Sequence, residues 1–167
     1  VIKSYTTQLL KKDKGESSYT YGNRTRAYFG KDQLLEAIEF LSKNPDQPWV
    51  IQRFDFVRDA SFWEEDGKIK YTHDPCLTHS IYFILSNKLY SFHIARAHNL
   101  VNAYPENIFG LFYAYDNLIA ERLEKEIEAM FVLSSRANIL LLTEEQKALK
   151  ILREPSKPES FCLEKSR

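Results

Sequence analysis

Ser80-Ile81-Tyr82-Phe83-Ile84-Leu85, then Ser86-Asn87-Lys88, then Leu89-Tyr90-Ser91-Phe92-His93-Ile94-Ala95: this stretch decides the fold class. Two runs of branched and aromatic residues flank three polar ones. Asn87 tolerates the positive φ that a tight turn needs, so the pattern predicts an antiparallel hairpin.

Downstream of Tyr104-Pro105, the residues Ile108, Leu111, Phe112, Tyr115, Leu118, Ile119 and Leu123 fall on one helical face and predict one long helix. Met130 to Leu142 reads as a strand interrupted at Ser134-Ser135-Arg136, and Thr143 is placed to cap a short helix over 144–152. Upstream, Leu34, Leu35, Ile38 and Leu41 predict a helix from Asp32 to Leu41. It should stop at Asn44-Pro45-Asp46, because proline disfavours helical geometry in the residue before it. Trp49 to Val57 reads as a strand, and Glu64 to Lys68 as a charged loop. Residues 1–18 and 156–167 are polar and read as irregular. The sum is a single mixed α/β domain of the α+β type spanning 1–167, dominated by sheet and one long helix, with shorter flanking helices.

Bulk composition agrees with one folded domain. The chain has 167 residues, 44% of them hydrophobic and 14% aromatic, with five glycines and six prolines. Its 23 basic and 23 acidic residues cancel, which removes the long-range field of a nucleic-acid or membrane binder. The apolar runs are far shorter than the roughly 20 residues a membrane-spanning helix needs, and no signal peptide is visible. Two cysteines, Cys76 and Cys162, do not make a secreted disulfide scaffold. The expected setting is cytoplasmic, and the sequon Asn23-Arg24-Thr25 is then a coincidence of spacing.

Cys76 follows Asp74-Pro75 and directly precedes the hairpin, while Arg96 ends its second strand. A cysteine at a strand entrance acts as a nucleophile where a nearby cation stabilises its thiolate; otherwise it is a buried structural residue. Arg96 alone reads as a surface arginine. His73, His79, His93 and His98 cluster around the hairpin, and His73, Cys76 and His79 have a spacing that suits three metal ligands. No second Cys/His pair completes a structural zinc site, so the histidines read as residues of exposed strand edges and no metal is expected. No phosphate-binding glycine loop, serine elbow or zinc-protease helix motif occurs.

Read together, the segments carry a resemblance. Arg96-Ala97-His98-Asn99-Leu100-Val101-Asn102-Ala103-Tyr104-Pro105-Glu106-Asn107-Ile108 resembles Arg-Ser-x-Asp-x-x-x-Gly-x-Pro-x-Asn-Ile of the thymidylate synthase superfamily, which includes the deoxycytidylate hydroxymethylases. Pro75-Cys76 stands at that family's separation before the arginine, and Asn87-Lys88-Leu89 resembles its Gly-Lys-Leu step. Tyr21-Gly22-x-x-x-Arg26-Ala27-Tyr28 resembles Tyr-Gly-x-x-x-Arg-Ala-Trp. Asp32-Gln33, Asn44-Pro45-Asp46 and Glu154-Pro155 match further landmarks, so the resemblance covers about residues 19–155.

The resemblance implies a methyltransferase of nucleotide biosynthesis. Cys76 would add to C6 of a pyrimidine nucleotide, and C5 would attack a one-carbon unit from methylene-tetrahydrofolate or a related reduced pterin. By position, Arg96 would hold the thiolate and the phosphate, and Asn107 would read the base edge. Asn99 stands where the family's base-contacting aspartate lies, Asn138 where its sugar-binding histidine lies, and Arg26 is a weaker candidate for structure near the site. A homodimer through the sheet is also implied.

Several positions depart from the pattern. Ala97 replaces the phosphate-binding serine, Ala103 the glycine, and Pro48-Trp49 the arginine pair that reaches the partner's phosphate. The family's N-terminal glutamate region and its C-terminal closing segment are expected to be missing or shortened. The losses fall on phosphate, sugar and folate contacts, which leaves two readings: an enzyme acting at C5 with an altered substrate, or a non-catalytic nucleotide-binding or assembly protein of the same descent.

Overall fold

The computed structural model describes residues 2–59, 63–65, 68–70, 75–101 and 103–138. In chain order the elements are α1 (Ile2–Leu10), α2 (Tyr21–Arg26), α3 (Gln33–Lys43), β1 (Trp49–Gln52), α4 (Phe56–Asp59), β2 (Trp63–Glu65) and β3 (Lys68–Lys70). The predicted hairpin follows as β4 (Leu77–Leu85) and β5 (Lys88–Ala95), then β6 (His98–Asn99). Helix α5 (Ala103–Leu111) runs through a π-helical turn, Phe112–Asp116, into α6 (Asn117–Leu123), and β7 (Glu126–Ser134) and β8 (Ala137–Asn138) end the described chain.

The main sheet has the order β1-β4-β5-β7. β1 and β5 flank β4 antiparallel, whereas β7 adds parallel to β5 after the α5–α6 crossover. Leu85 pairs with Lys88, so the hairpin connection is the two residues Ser86 and Asn87. Both have positive φ, 49° and 64°, the geometry whose twist matches paired strands.

Alternation along the strands sorts residues onto two faces. Ile51, Tyr82, Leu89 and Ala95 face the helices and join Leu34, Ala37 and Leu41 of α3 with Leu111, Tyr115 and Ile119 of the long helix in one core. Each fully buried leucine there contributes about 1.5–3 kcal/mol. The opposite face carries a row of register partners across all four strands: Val50, Ile81, Phe92 and Phe131. Phe92 and Phe131 stack at 4.5 Å, Phe83 stacks on Tyr90 at 5.2 Å, and Phe131 and Leu133 are 44% and 60% exposed.

Five expectations change. The N-terminal residues, expected to be irregular, include α1, whose Tyr5 and Leu9 lie where a Cβ on Gly110 of α5 would come within 2.6 and 2.8 Å. Only a glycine lets the two helices approach so closely, so a tertiary contact and not local propensity orders this segment. Gly22 does the same for α2, where a Cβ would sit 2.4 Å from the Gln8 carbonyl oxygen. The strand expected over 49–57 ends at Gln52, since the chain turns into α4. The long helix starts at Ala103, and β7 starts at Glu126, four residues ahead of Met130. The charged loop over 64–68 holds the ends of the paired strands β2 and β3. The helix expected over 144–152, Glu154-Pro155 and the C-terminal tail lie outside the described residues.

Helix α3 behaves as read. Asp32 caps it by accepting from the Leu35 amide at 3.4 Å, and Asn44 ends it with both its backbone and side-chain N–H groups on the Phe40 carbonyl.

Candidate functional site

The open end of the hairpin brings the two leading residues together. Leu77 pairs with Ala95, and just beyond this pair the Arg96 amide donates to the Cys76 carbonyl at 2.8 Å. The Arg96 Nε donates to the Pro75 carbonyl at 3.4 Å, so its guanidinium folds back toward the cysteine segment. Cys76 is half-buried and forms no disulfide.

Two tyrosines border this point. The Tyr21 hydroxyl accepts from the Leu77 amide at 3.3 Å. The Tyr19 ring lies 5.7 Å from that of Tyr21, and its hydroxyl hydrogen-bonds to the Tyr21 side chain and the Cys76 backbone. Burial raises the Tyr19 pKa, the Cys76 charge raises it further, and Arg96 opposes both. One hydroxyl thus senses the nucleophile candidate and the cation candidate at once. Tyr5, Tyr19 and Tyr21 also line a cavity of about 190 Å³.

The Tyr5 hydroxyl donates to Asn107 Oδ1, a contact across the α1–α5 interface. Asn107 is 4% exposed and sits in the middle of α5. Asn99 accepts from the Val101 amide at 3.1 Å, and its strand residue pairs in register with Asn138. Arg26 is committed elsewhere: it binds Asp32 through Nε and Nη2 and the Leu10 carbonyl through Nη1.

The histidines correct an expectation. His93 and His98 are 0% and 2% exposed, not residues of exposed strand edges. The period of β5 turns His93 inward beside Ser91, and His98 packs edge-on against Tyr104 at 5.3 Å. His79 remains partly exposed on the outer face, and His73 lies outside the described residues. Among the described residues no group of three His, Cys, Asp or Glu side chains is placed to hold a metal.

The inward turn of His93 exposes a polar cluster that the sequence reading missed. His93 Nδ1 lies 2.7 Å from Ser80 Oγ, and its Nε2 lies 3.2 Å from Asp116 Oδ1. Asp116, placed by the π turn, also accepts from Tyr82 at 3.0 Å and Ser91 at 2.7 Å. Arg53 reaches Ser80 at 2.8 Å and Thr25 at 2.9 Å. Serine, histidine and aspartate in a chain suggest nucleophilic catalysis, yet all three are 0% exposed. No substrate reaches them, so this network is structural. Its sequence signal is the alternation itself, which sets Ser80 and Tyr82 on one strand face with Ser91 and His93 on its neighbour.

Comparison with known proteins follows the same lines. No protein-family model matches the sequence. A "Putative thymidylate synthase" of Methanothermobacter thermautotrophicus is 32% identical over 120 residues, covering 72% of this chain and 50% of that protein. A protein of the same name from Methanosarcina barkeri is 30% identical over 112 residues, 66% of this chain and 48% of the relative. The solved structure of thermostable thymidylate synthase A from Bacillus subtilis superposes with a TM-score of 0.55 at 18% identity, over 82% of this chain and 46% of that one.

The chain is a divergent thymidylate synthase-like family member.

It spans about half the length of the curated relatives it matches. Within this thymidylate synthase-like fold, the hairpin brings Cys76 and Arg96 together, while Asn107 is bound by Tyr5, which lines the cavity with Tyr19 and Tyr21. Asn99 and Asn138 form a separate strand pair beyond Arg96. No helix among the described residues is long and apolar enough to cross a membrane.

Proposed function

We propose that this chain binds a pyrimidine nucleotide and activates its C5 through a covalent adduct. The Cys76 thiolate adds to C6, forming an S–C6 bond. The C5–C6 electron pair moves to C5, with negative charge shared onto the O4 oxygen, and C5 then attacks a one-carbon electrophile. Loss of the C5 proton and expulsion of the thiolate restore the ring double bond. The observation that supports this reading is the juxtaposition of Cys76 and Arg96 at the open end of the hairpin, with the Arg96 Nε turned back onto the Pro75 carbonyl; a cation near the sulfur is what a reactive thiolate needs.

A reduced folate is the one-carbon donor that the relatives suggest. The tyrosine-lined cavity, at about 190 Å³, is smaller than the roughly 300–1,000 Å³ of sites that enclose a drug-sized ligand. It is too small to enclose such a molecule. Asn99, Asn107 and Asn138 are the proposed substrate contacts, and of these Asn107 already has its carbonyl engaged by Tyr5.

The outer sheet face supports a homodimer. Val50, Ile81, Phe92 and Phe131 form a continuous apolar row, and an exposed apolar surface of that extent is characteristic of an interface. The same face favours the alternative reading, an assembly protein without chemistry. Incubation with 5-fluoro-dUMP, with and without methylene-tetrahydrofolate, followed by intact-mass measurement, separates the two. An adduct that disappears in Cys76→Ser supports the enzyme. Absence of any adduct, with a Cys76 thiol of ordinary reactivity at neutral pH, leaves the assembly role.

A further inference from the structure

We infer that a directional hydrogen-bond relay, Arg53–Ser80–His93–Asp116, locks the long helix to the hairpin, with the one ring proton of His93 held on Nε2. This stands apart from the chemistry of Cys76.

The relay is built from cross-strand pairs. Ser80 on β4 and His93 on β5 are register partners, and so are Tyr82 and Ser91 next along the same face. Asp116, in the π turn, spans both pairs. It accepts from Tyr82 at 3.0 Å and from Ser91 at 2.7 Å, and lies 3.2 Å from His93 Nε2. At the other end Arg53 follows β1 and binds hydroxyls, donating from Nη1 to Ser80 at 2.8 Å and from Nε to Thr25 of α2 at 2.9 Å. Its Nη2 has no hydrogen-bond partner among the described residues.

Donor counting fixes the direction. A guanidinium only donates, so Ser80 Oγ accepts from Arg53 and has its own proton to give. Its other partner among the described residues is His93 Nδ1, at 2.7 Å. That nitrogen then presents a lone pair, which leaves the ring proton on Nε2, facing the Asp116 carboxylate. A proton on Nδ1 instead would strand the Ser80 hydroxyl and turn the Nε2 lone pair toward an anion. An imidazolium would strand the Ser80 proton as well. Arg53, Ser80, His93 and Asp116 are all 0% exposed, so bulk water supplies no replacement acceptor. The relay thus joins a buried cation to a buried anion through two neutral groups. Ser80 lies on the strand that follows Cys76, His93 on the strand that leads to Arg96, and Asp116 on the long helix that carries Asn107. One chain of bonds sets that helix against the strands of the candidate site.

The parent protein tests the direction without any substitution. Long-range ¹H–¹⁵N correlation of the His93 ring at neutral pH, assigned through its contact with the Tyr82 ring, is expected to show a protonated Nε2 and a bare Nδ1. A proton on Nδ1, or on both nitrogens, overturns the relay. The lock is read by hydrogen exchange at the backbone amides of the π turn in Ser80→Ala and Ser91→Ala. Ser80→Ala removes the hydroxyl between Arg53 and His93, and exchange should speed up about tenfold or more. Ser91→Ala takes away one donor to Asp116 but leaves the relay whole, so its effect should be smaller. Exchange in Ser80→Ala no faster than in Ser91→Ala would overturn the lock. The ring spectrum decides even where Ser80→Ala does not fold.

Discussion

Arg96 donates its backbone amide to the Cys76 carbonyl at 2.8 Å, which locks the two ends of the β4–β5 hairpin side by side. The guanidinium stays near because its Nε holds the Pro75 carbonyl. Replacing the side chain leaves the backbone bond intact and removes the cation together with its hydrogen bond to the Pro75 carbonyl. Arg96→Gln should therefore slow Cys76 alkylation at pH 7 roughly five- to tenfold. An unchanged rate in a folded variant would show that the guanidinium does not act on the sulfur.

The buried cluster around Asp116 should dominate stability. Asp116→Ala strands Tyr82, Ser91 and His93 without their acceptor in a site closed to water. Loss of one partner from such a network costs about 3–5 kcal/mol, measurable as a lower urea midpoint. Tyr82→Phe removes one neutral donor and should cost about 1 kcal/mol. Equal effects of the two variants would mean that Asp116 is not the centre of the cluster.

Much of this was legible in the sequence, and the failures have physical causes. The hairpin was readable because Ser86 and Asn87 separate two β-prone runs, and α3 because Asp32 and Asn44 punctuate an apolar stripe. Helix α1 was not, since Thr6, Thr7 and Gln8 dilute its apolar face and Gly110, over 100 residues away, completes its packing. The start of β7 was missed because Glu126 and Glu128 read as surface charge, although strand alternation leaves both exposed while Lys88 pairs with Glu128. At the site, spacing placed Cys76 beside Arg96 correctly. Tyr5 and Tyr19 could not be found that way, because they reach Asn107 and Cys76 only after α1 and α2 have packed.

Stability should depend on pH through the histidines. Burial holds His98 below its ordinary value of 6.5, and burial together with Arg53 lowers His79. In the unfolded chain both protonate near that ordinary value, so the folded state binds fewer protons below it. Their contribution is complete above pH 6.5 and is lost as pH falls through the lower folded values. The melting temperature should be level from pH 7 to 8 and decline from about pH 6.5 toward 5, less steeply in His98→Gln. A flat profile down to pH 5 would contradict the assignment; Asp32, whose pKa the Arg26 and Lys12 hydrogen bonds lower against the opposing effect of burial, acts only in stronger acid.

The aromatic row of the sheet predicts assembly. Phe92 stacks between Phe83 and Phe131, so Phe92→Glu places a charge at the centre of the proposed dimer face. Sedimentation velocity should show a dimer for the parent chain and a folded monomer for the variant. A parent chain that sediments as a monomer at all concentrations would leave that face without the partner assigned to it.

Central to all of this is addition of the Cys76 sulfur to C6 of a pyrimidine nucleotide, and that step has a signature that needs no one-carbon donor. With dUMP in D₂O, addition makes C5 basic; C5 takes a deuteron, loses its proton and expels the thiolate. Proton NMR of the nucleotide should show the H5 signal fading with the parent protein and persisting with Cys76→Ser. An H5 signal that persists with both, or fades equally with both, would contradict Cys76 as the nucleophile.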